Sequence, residues 1–113
     1  MNLIIKMGIK MSDRNYVYLL RCADNTMYCG WTTDLKARLA AHNNGKGAKY
    51  TRSRLPVELI WFEEFEDRHD ALSREWHIKR MSREAKMALV ESAFRQIDGL
   101  RAAKGSSGGL PLL

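Results

Sequence analysis

The chain has 113 residues and a net charge of +6, with 19 Lys and Arg against 13 Asp and Glu. Hydrophobic residues make up 45% of it, which excludes a disordered polymer, and the length suits one domain with a modest core. The basic balance makes a polyanion such as nucleic acid the first partner class to test.

No apolar run approaches the length of a membrane span. The short apolar piece Leu3 to Ile5 lacks the long h-region and cleavage site of a signal peptide. Residues 1–15 read as a flexible leader, and Met11 is the expected natural start. The two cysteines, Cys22 and Cys29, have no metal-ligand spacing and are not cross-strand partners. Reduced cysteines in a cytoplasmic protein are the expectation.

The first element is a predicted β-hairpin, Tyr16 to Trp31, YVYLLRCADNTMYCGW. Tyr16, Tyr18 and Leu20 alternate with Val17, Leu19 and Arg21, as strand residues do. Ala23-Asp24-Asn25 is a turn cluster, and Asn25 tolerates the left-handed conformation. A three-residue loop of this kind pairs Cys22 with Thr26. Leu20 then faces Tyr28 and Tyr18 faces Gly30, which puts Tyr18 and Tyr28 on one face and leaves Tyr18 unshaded. A two-residue loop would invert that pattern. Taken alone, the two tyrosines are ordinary strand aromatics.

A helix follows over TTDLKARLAAHNNG, capped by Thr33 or Asp34 and ended by Gly45. Leu35 and Leu39 form its apolar stripe, with Arg38 and His42 at the edge where helix meets sheet. From Lys36 to Arg54 there is no acidic residue, while Lys36, Arg38, Lys46, Lys49, Arg52 and Arg54 are all basic. Lys46, Lys49, Arg52 and Arg54 interleave there with Tyr50, Thr51 and Ser53, a composition suited to phosphate contacts. Gly45 and Gly47 would let backbone N–H groups approach an anion. The plainer alternative is a solvated basic loop.

Pro56 opens a strand, VELIWFEEF, apolar on both faces in the middle and therefore expected at the centre of the sheet. Asp67 begins a helix in which Ala71, Leu72 and Ile78 share a face, with Glu75 projected between them. A carboxylate in such a stripe must be paired, metal-bound or open to a cleft. Pairing with Lys79 at i, i+4 is the simple account. Ser82 can cap a last helix, Glu84 to about Leu100, with Met87, Val90, Phe94 and Ile97 as its stripe. The predicted domain spans 16–100, and 101–113, ending in GSSGGLPLL, reads as a flexible tail.

This set resembles the GIY-YIG nuclease superfamily, in particular its small stand-alone bacterial members. Tyr16-Val17-Tyr18 stands for the first motif and Tyr28-Cys29-Gly30 for the second. Arg38, His42 and Glu75 follow at the matching places, and HNNGKGAKYT is similar to the catalytic subunits of flap and junction nucleases. Tyr16 replaces the first Gly, Cys29 replaces Ile, and Trp31 stands where some repair members have Lys. No Asn downstream of Glu75 is placed as in homing-type members.

The resemblance implies an α+β fold, a small three-stranded antiparallel sheet flanked by helices. It implies a DNA endonuclease acting on branched or repair intermediates with one divalent cation, Mg²⁺ or Mn²⁺. Glu75 would hold the cation, Arg38 would face the phosphate, and His42 would relay or accept a proton. Tyr18 or Tyr28 would be the general base. Lys46, Lys49, Tyr50, Thr51, Arg52 and Arg54 would bind nucleic acid. The alternatives are a non-catalytic nucleic-acid-binding module and a nuclease subunit that needs a protein partner for recognition.

Overall fold

The computed structural model describes residues 14–103. Residues 1–13 and 104–113, where most of the expected leader and tail fall, lie outside the described residues, and 101–103, expected in the tail, continue the last helix. In chain order the elements are β1 (Asn15–Arg21), β2 (Met27–Thr32), α1 (Leu35–Asn43), α2 (Lys49–Arg52), β3 (Glu58–Phe65), α3 (Arg68–Lys79) and α4 (Arg83–Ala103). The fold is α+β, with a three-stranded antiparallel sheet in the order β2-β1-β3 and four helices among the described residues.

The hairpin follows from its turn. Asn25 N–H donates to the Cys22 carbonyl at 2.9 Å and Cys22 N–H donates to the Thr26 carbonyl at 2.8 Å. Asn25 carries the left-handed step, φ 69°. Asp24 Oδ1 accepts from Thr26 Oγ1 at 2.6 Å, bracing the corner. The resulting register sets Tyr18 opposite Gly30 and Leu20 opposite Tyr28, as the turn chemistry predicts.

Two expectations are corrected at the strands. The centre of the sheet is β1, not β3. Residues 17–20 of β1 are buried on both faces, whereas Phe62 of β3 is 50% exposed and Glu58 and Glu64 face water. An apolar run on both faces marked β3 as central, yet it is an edge strand whose charges discourage further pairing. Asn15 belongs to β1 rather than to a leader. It is buried, its Oδ1 accepts from Trp31 Nε1 at 3.3 Å, and its Nδ2 donates to the Glu66 carbonyl at 3.4 Å.

The sheet has two differently dressed faces. Tyr18, Leu20 and Tyr28 lie with Leu59 on the face covered by α1, through Leu35 and Leu39. On the other face α3 buries Ala71 and Ile78 completely, and Arg74 lies over Trp61 while donating to Glu63 at 3.0 Å. Leu72, expected in that stripe, is 39% exposed, because Ala71 and Ile78 centre the buried arc and Leu72 turns outward.

Asp34 caps α1, accepting from Ala37 N–H at 3.0 Å. The far end of α1 is tied to the residue just before β3 by Asn43, whose Oδ1 accepts from Val57 N–H at 2.8 Å and whose Nδ2 donates to the Val57 carbonyl at 3.1 Å. This clamp on the backbone that leads into β3 had no signal in the sequence. The last helix, α4, begins where Ser82 Oγ accepts from Ala85 N–H at 3.1 Å.

Candidate active site

Tyr18 is the hub. Its hydroxyl sits 3.0 Å from His42 Nε2 and accepts from Arg38 Nε at 3.4 Å. The spacing of Arg38 and His42, one helical turn apart, lets both reach one phenol from the same side of α1. His42 is not an edge residue: it is the buried residue of α1, at 0% exposure. Its Nδ1 lies 2.8 Å from Thr51 Oγ1, and Thr51 donates in turn to the Ala48 carbonyl at 3.0 Å. Tyr28 completes the cluster. Its ring centroid lies 5.4 Å from that of His42 and 6.4 Å from that of Tyr18.

Two glycines are required by these rings. A methyl group at Gly30 would run into the Tyr18 ring, and one at Gly47 would run into the His42 imidazole. Tyr18 is therefore not left unshaded, as expected, but is 2% exposed, seated over Gly30 and roofed by α1. Gly47 serves to admit a histidine, a role different from the expected anion contact.

Burial and charge set the protonation states. Burial raises the Tyr18 phenol pKa, against the lowering effect of Arg38. The carboxylate of Glu75 is near enough to push the same phenol further up. Burial lowers the His42 pKa, and the neighbouring Arg38 charge lowers it further, so His42 is neutral at pH 7. The hydrogen bond to Tyr18 holds Arg38 more firmly cationic, with Tyr28 also within its reach.

Glu75 approaches from α3. Its side chain is 19% exposed and pairs with Lys79 Nζ at 3.4 Å, so the simple i, i+4 account describes it in this state. Lys79 Nζ also lies 5.9 Å from the Tyr28 ring centre. Sequence reasoning assigned Lys79 no part in the site beyond that pair. Among the described residues, no three His, Cys, Asp or Glu side chains gather as a metal cage. A largely shielded carboxylate already facing positive charge fits a cation that takes one protein ligand and fills its shell with water and substrate oxygens, as Mg²⁺ and Mn²⁺ do.

The basic segment divides. Lys46, Lys49 and Arg52 are exposed, and Tyr50 is 38% exposed with its ring stacked on Tyr28 at 6.0 Å. Thr51 is withdrawn from the expected nucleic-acid contacts, being fully buried with its hydroxyl engaged inside. Arg54 is committed to structure. It lies 3.9 Å over the Tyr50 ring, donates to Asp24 at 3.0 Å and donates to the Tyr50 carbonyl at 2.7 Å. The segment thereby straps to the hairpin turn, with Ala23 N–H donating to the Arg54 carbonyl at 2.9 Å.

Among the described residues no helix is long and apolar enough to cross a membrane. The model of the GIY-YIG catalytic domain matches residues 14–88. A UPF0213 protein of Clostridium perfringens is 54% identical over 78 residues, covering 69% of this chain and 84% of that protein. A UPF0213 protein of Haloquadratum walsbyi is 52% identical over 81 residues, covering 72% and 91% respectively. The solution NMR structure of the E. faecalis protein EF2693 superposes with a TM-score of 0.51 at 38% identity, covering 72% of this chain and 86% of that one. On the match over residues 14–88 and the identity to these relatives, the chain belongs to the GIY-YIG family, a nuclease-type family whose substrate is nucleic acid.

Proposed function

We propose that this protein is a metal-dependent endonuclease that hydrolyses phosphodiester bonds in DNA, with branched or repair intermediates as substrates. The observation that carries the reading is the Tyr18 hydroxyl held between Arg38 and His42, with the second phenol of Tyr28 beside them. Two phenols, a guanidinium and a neutral imidazole have no need of one another in an ordinary core. Together they are the groups that water activation and phosphate binding require.

Burial separates the two tyrosines. Tyr18 is 2% exposed and Tyr28 is half-buried, so Tyr28 is the phenol that water and substrate reach. Acting in its phenolate form, Tyr28 would take the proton lost by the attacking water and become the neutral phenol, as the water oxygen bonds to phosphorus and the P–O ester bond breaks with its electron pair leaving on the ester oxygen. Arg38, anchored on Tyr18, faces the phosphate oxygens on which charge develops. Glu75 would hold the divalent cation, which when bound supplies positive charge to the leaving oxygen. Lys46, Lys49 and Arg52 contact neighbouring phosphates, and Tyr50 borders the cleft.

The Glu75–Lys79 pair is what a non-catalytic binding module would keep, so it favours that second reading. One experiment separates them. Purified protein is incubated with labelled duplex, flap, junction and single-stranded DNA, with and without Mg²⁺ or Mn²⁺, beside Glu75→Ala. Cation-dependent cleavage that Glu75→Ala loses by about 100-fold or more, with binding retained, is the expected result. Equal cutting by the variant removes the metal role, and a mobility shift without cleavage favours the module.

A further inference from the structure

Thr51 has no part in the roles given above, yet it is one of the most completely enclosed side chains of the protein. We infer that Thr51 is a positioning residue that fixes the tautomer of His42, and through it the direction of the Tyr18 hydroxyl and the seat of Arg38. The inference rests on the proposed roles of Tyr18, His42 and Arg38, and its first test requires no cleavage.

The hydrogen bonds can be oriented in two ways. In the first, His42 carries its proton on Nδ1 and donates it to Thr51 Oγ1 at 2.8 Å, while Thr51 donates to the Ala48 carbonyl at 3.0 Å. Nε2 is then bare and accepts from the Tyr18 hydroxyl at 3.0 Å. The phenol oxygen keeps its lone pairs for Arg38 Nε at 3.4 Å. Every donor in that chain has an acceptor, from Arg38 through Tyr18, His42 and Thr51 to a backbone carbonyl.

In the second orientation Thr51 donates to Nδ1, beside the long contact from Ala48 N–H at 3.4 Å. His42 Nε2–H then points at the Tyr18 oxygen, which Arg38 also addresses. The Tyr18 O–H is left without an acceptor among the described residues, in a side chain 2% exposed. A buried hydroxyl with nothing to donate to is costly, whereas the first orientation gives up only the long 3.4 Å contact from Ala48 N–H, in a residue that is partly buried. The first orientation wins on that difference.

Geometry explains why this residue type stands here. The four-residue helix α2 carries Thr51 inward, with Ala48 as its N-terminal cap, so the hydroxyl meets its own helix's first carbonyl. A threonine there can accept from a ring nitrogen and donate to a carbonyl at once. Gly47 leaves the imidazole the room to sit flat against the loop. A valine keeps the shape of Thr51 and removes both functions.

The test uses the full chain labelled with ¹⁵N-imidazole histidine, with His69 and His77 as internal references. Near neutral pH, NMR should find His42 neutral with Nδ1 protonated and Nε2 bare. Thr51→Ser should preserve that form, and Thr51→Val should move His42 toward Nε2–H. In a cleavage assay Thr51→Val should lower kcat by about 10- to 100-fold with KM nearly unchanged, and Thr51→Ser should restore it. Wild-type His42 protonated on Nε2 overturns the inference without any variant. A folded Thr51→Val with an unchanged tautomer also overturns it. The Nδ1–H form in a protein that cuts no substrate supports the inference while removing the nuclease reading.

Discussion

His42 shows how a single residue is defined by what surrounds it. An imidazole at 0% exposure, hydrogen-bonded through both nitrogens, is a group the fold holds in its neutral state. That choice is a statement about stability. Burial, and then Arg38, lower its pKa below the ordinary histidine value of 6.5. As pH falls below that value the unfolded chain takes up the proton first, so the unfolded state is favoured. The stabilisation is complete above the ordinary value and is lost as pH falls toward the folded one. Denaturation midpoints should therefore drop on acidification, and His42→Gln should flatten the drop. The gap between wild type and variant should narrow as pH goes from about 7 to about 5. A gap that stays constant over that range would refute the assignment.

At the scale of the element, the hairpin depends on one left-handed residue. Asn25 at φ 69° lets the loop take the length that puts Tyr18 and Tyr28 on one face. Asn25→Gly should leave stability within a few tenths of a kcal/mol, while Asn25→Ala should cost about 1 kcal/mol, read by urea denaturation. If Ala is tolerated as well as Gly, the turn does not depend on that conformation. The short α2 makes the complementary point. Four residues cannot form a stable helix alone. This one persists because Thr51 is drawn under α1 and Arg54 is strapped to Asp24 and the Tyr50 carbonyl. Its remaining cations are thus presented from a fixed base.

The molecule as a whole carries its charge of +6 unevenly with respect to use. Arg21, Arg54 and Arg74 are engaged with Glu58, Asp24 and Glu63 at about the same separation, 2.9, 3.0 and 3.0 Å. Lys49 and Arg52 point outward beside the candidate site. Lys49→Ala and Arg52→Ala should each reduce the salt slope of DNA binding by about 1, with little change in stability. Arg54→Ala should act mainly by loosening the strap. Equal salt slopes in wild type and in the Lys49 and Arg52 variants would exclude these two as phosphate contacts.

Legible in the sequence alone were the hairpin, its register, a cap at Thr33 or Asp34, the order of the strands and the longer helices, and Arg38 and His42 one turn apart on one helix, whereas the short α2 read as a loop. All of these rest on local chemistry: alternation, turn residues, helix capping and fixed spacing along a helix. Tertiary structure decided what depends on neighbours distant in the chain. Only assembly of the sheet shows that β1 is central, because burial on both faces is a property of what covers a strand and not of its composition. Only tertiary packing, with Tyr18 against Gly30 and His42 against Gly47, buries Tyr18, leaves Tyr28 half-exposed and turns Thr51 from a surface hydroxyl into the partner of His42.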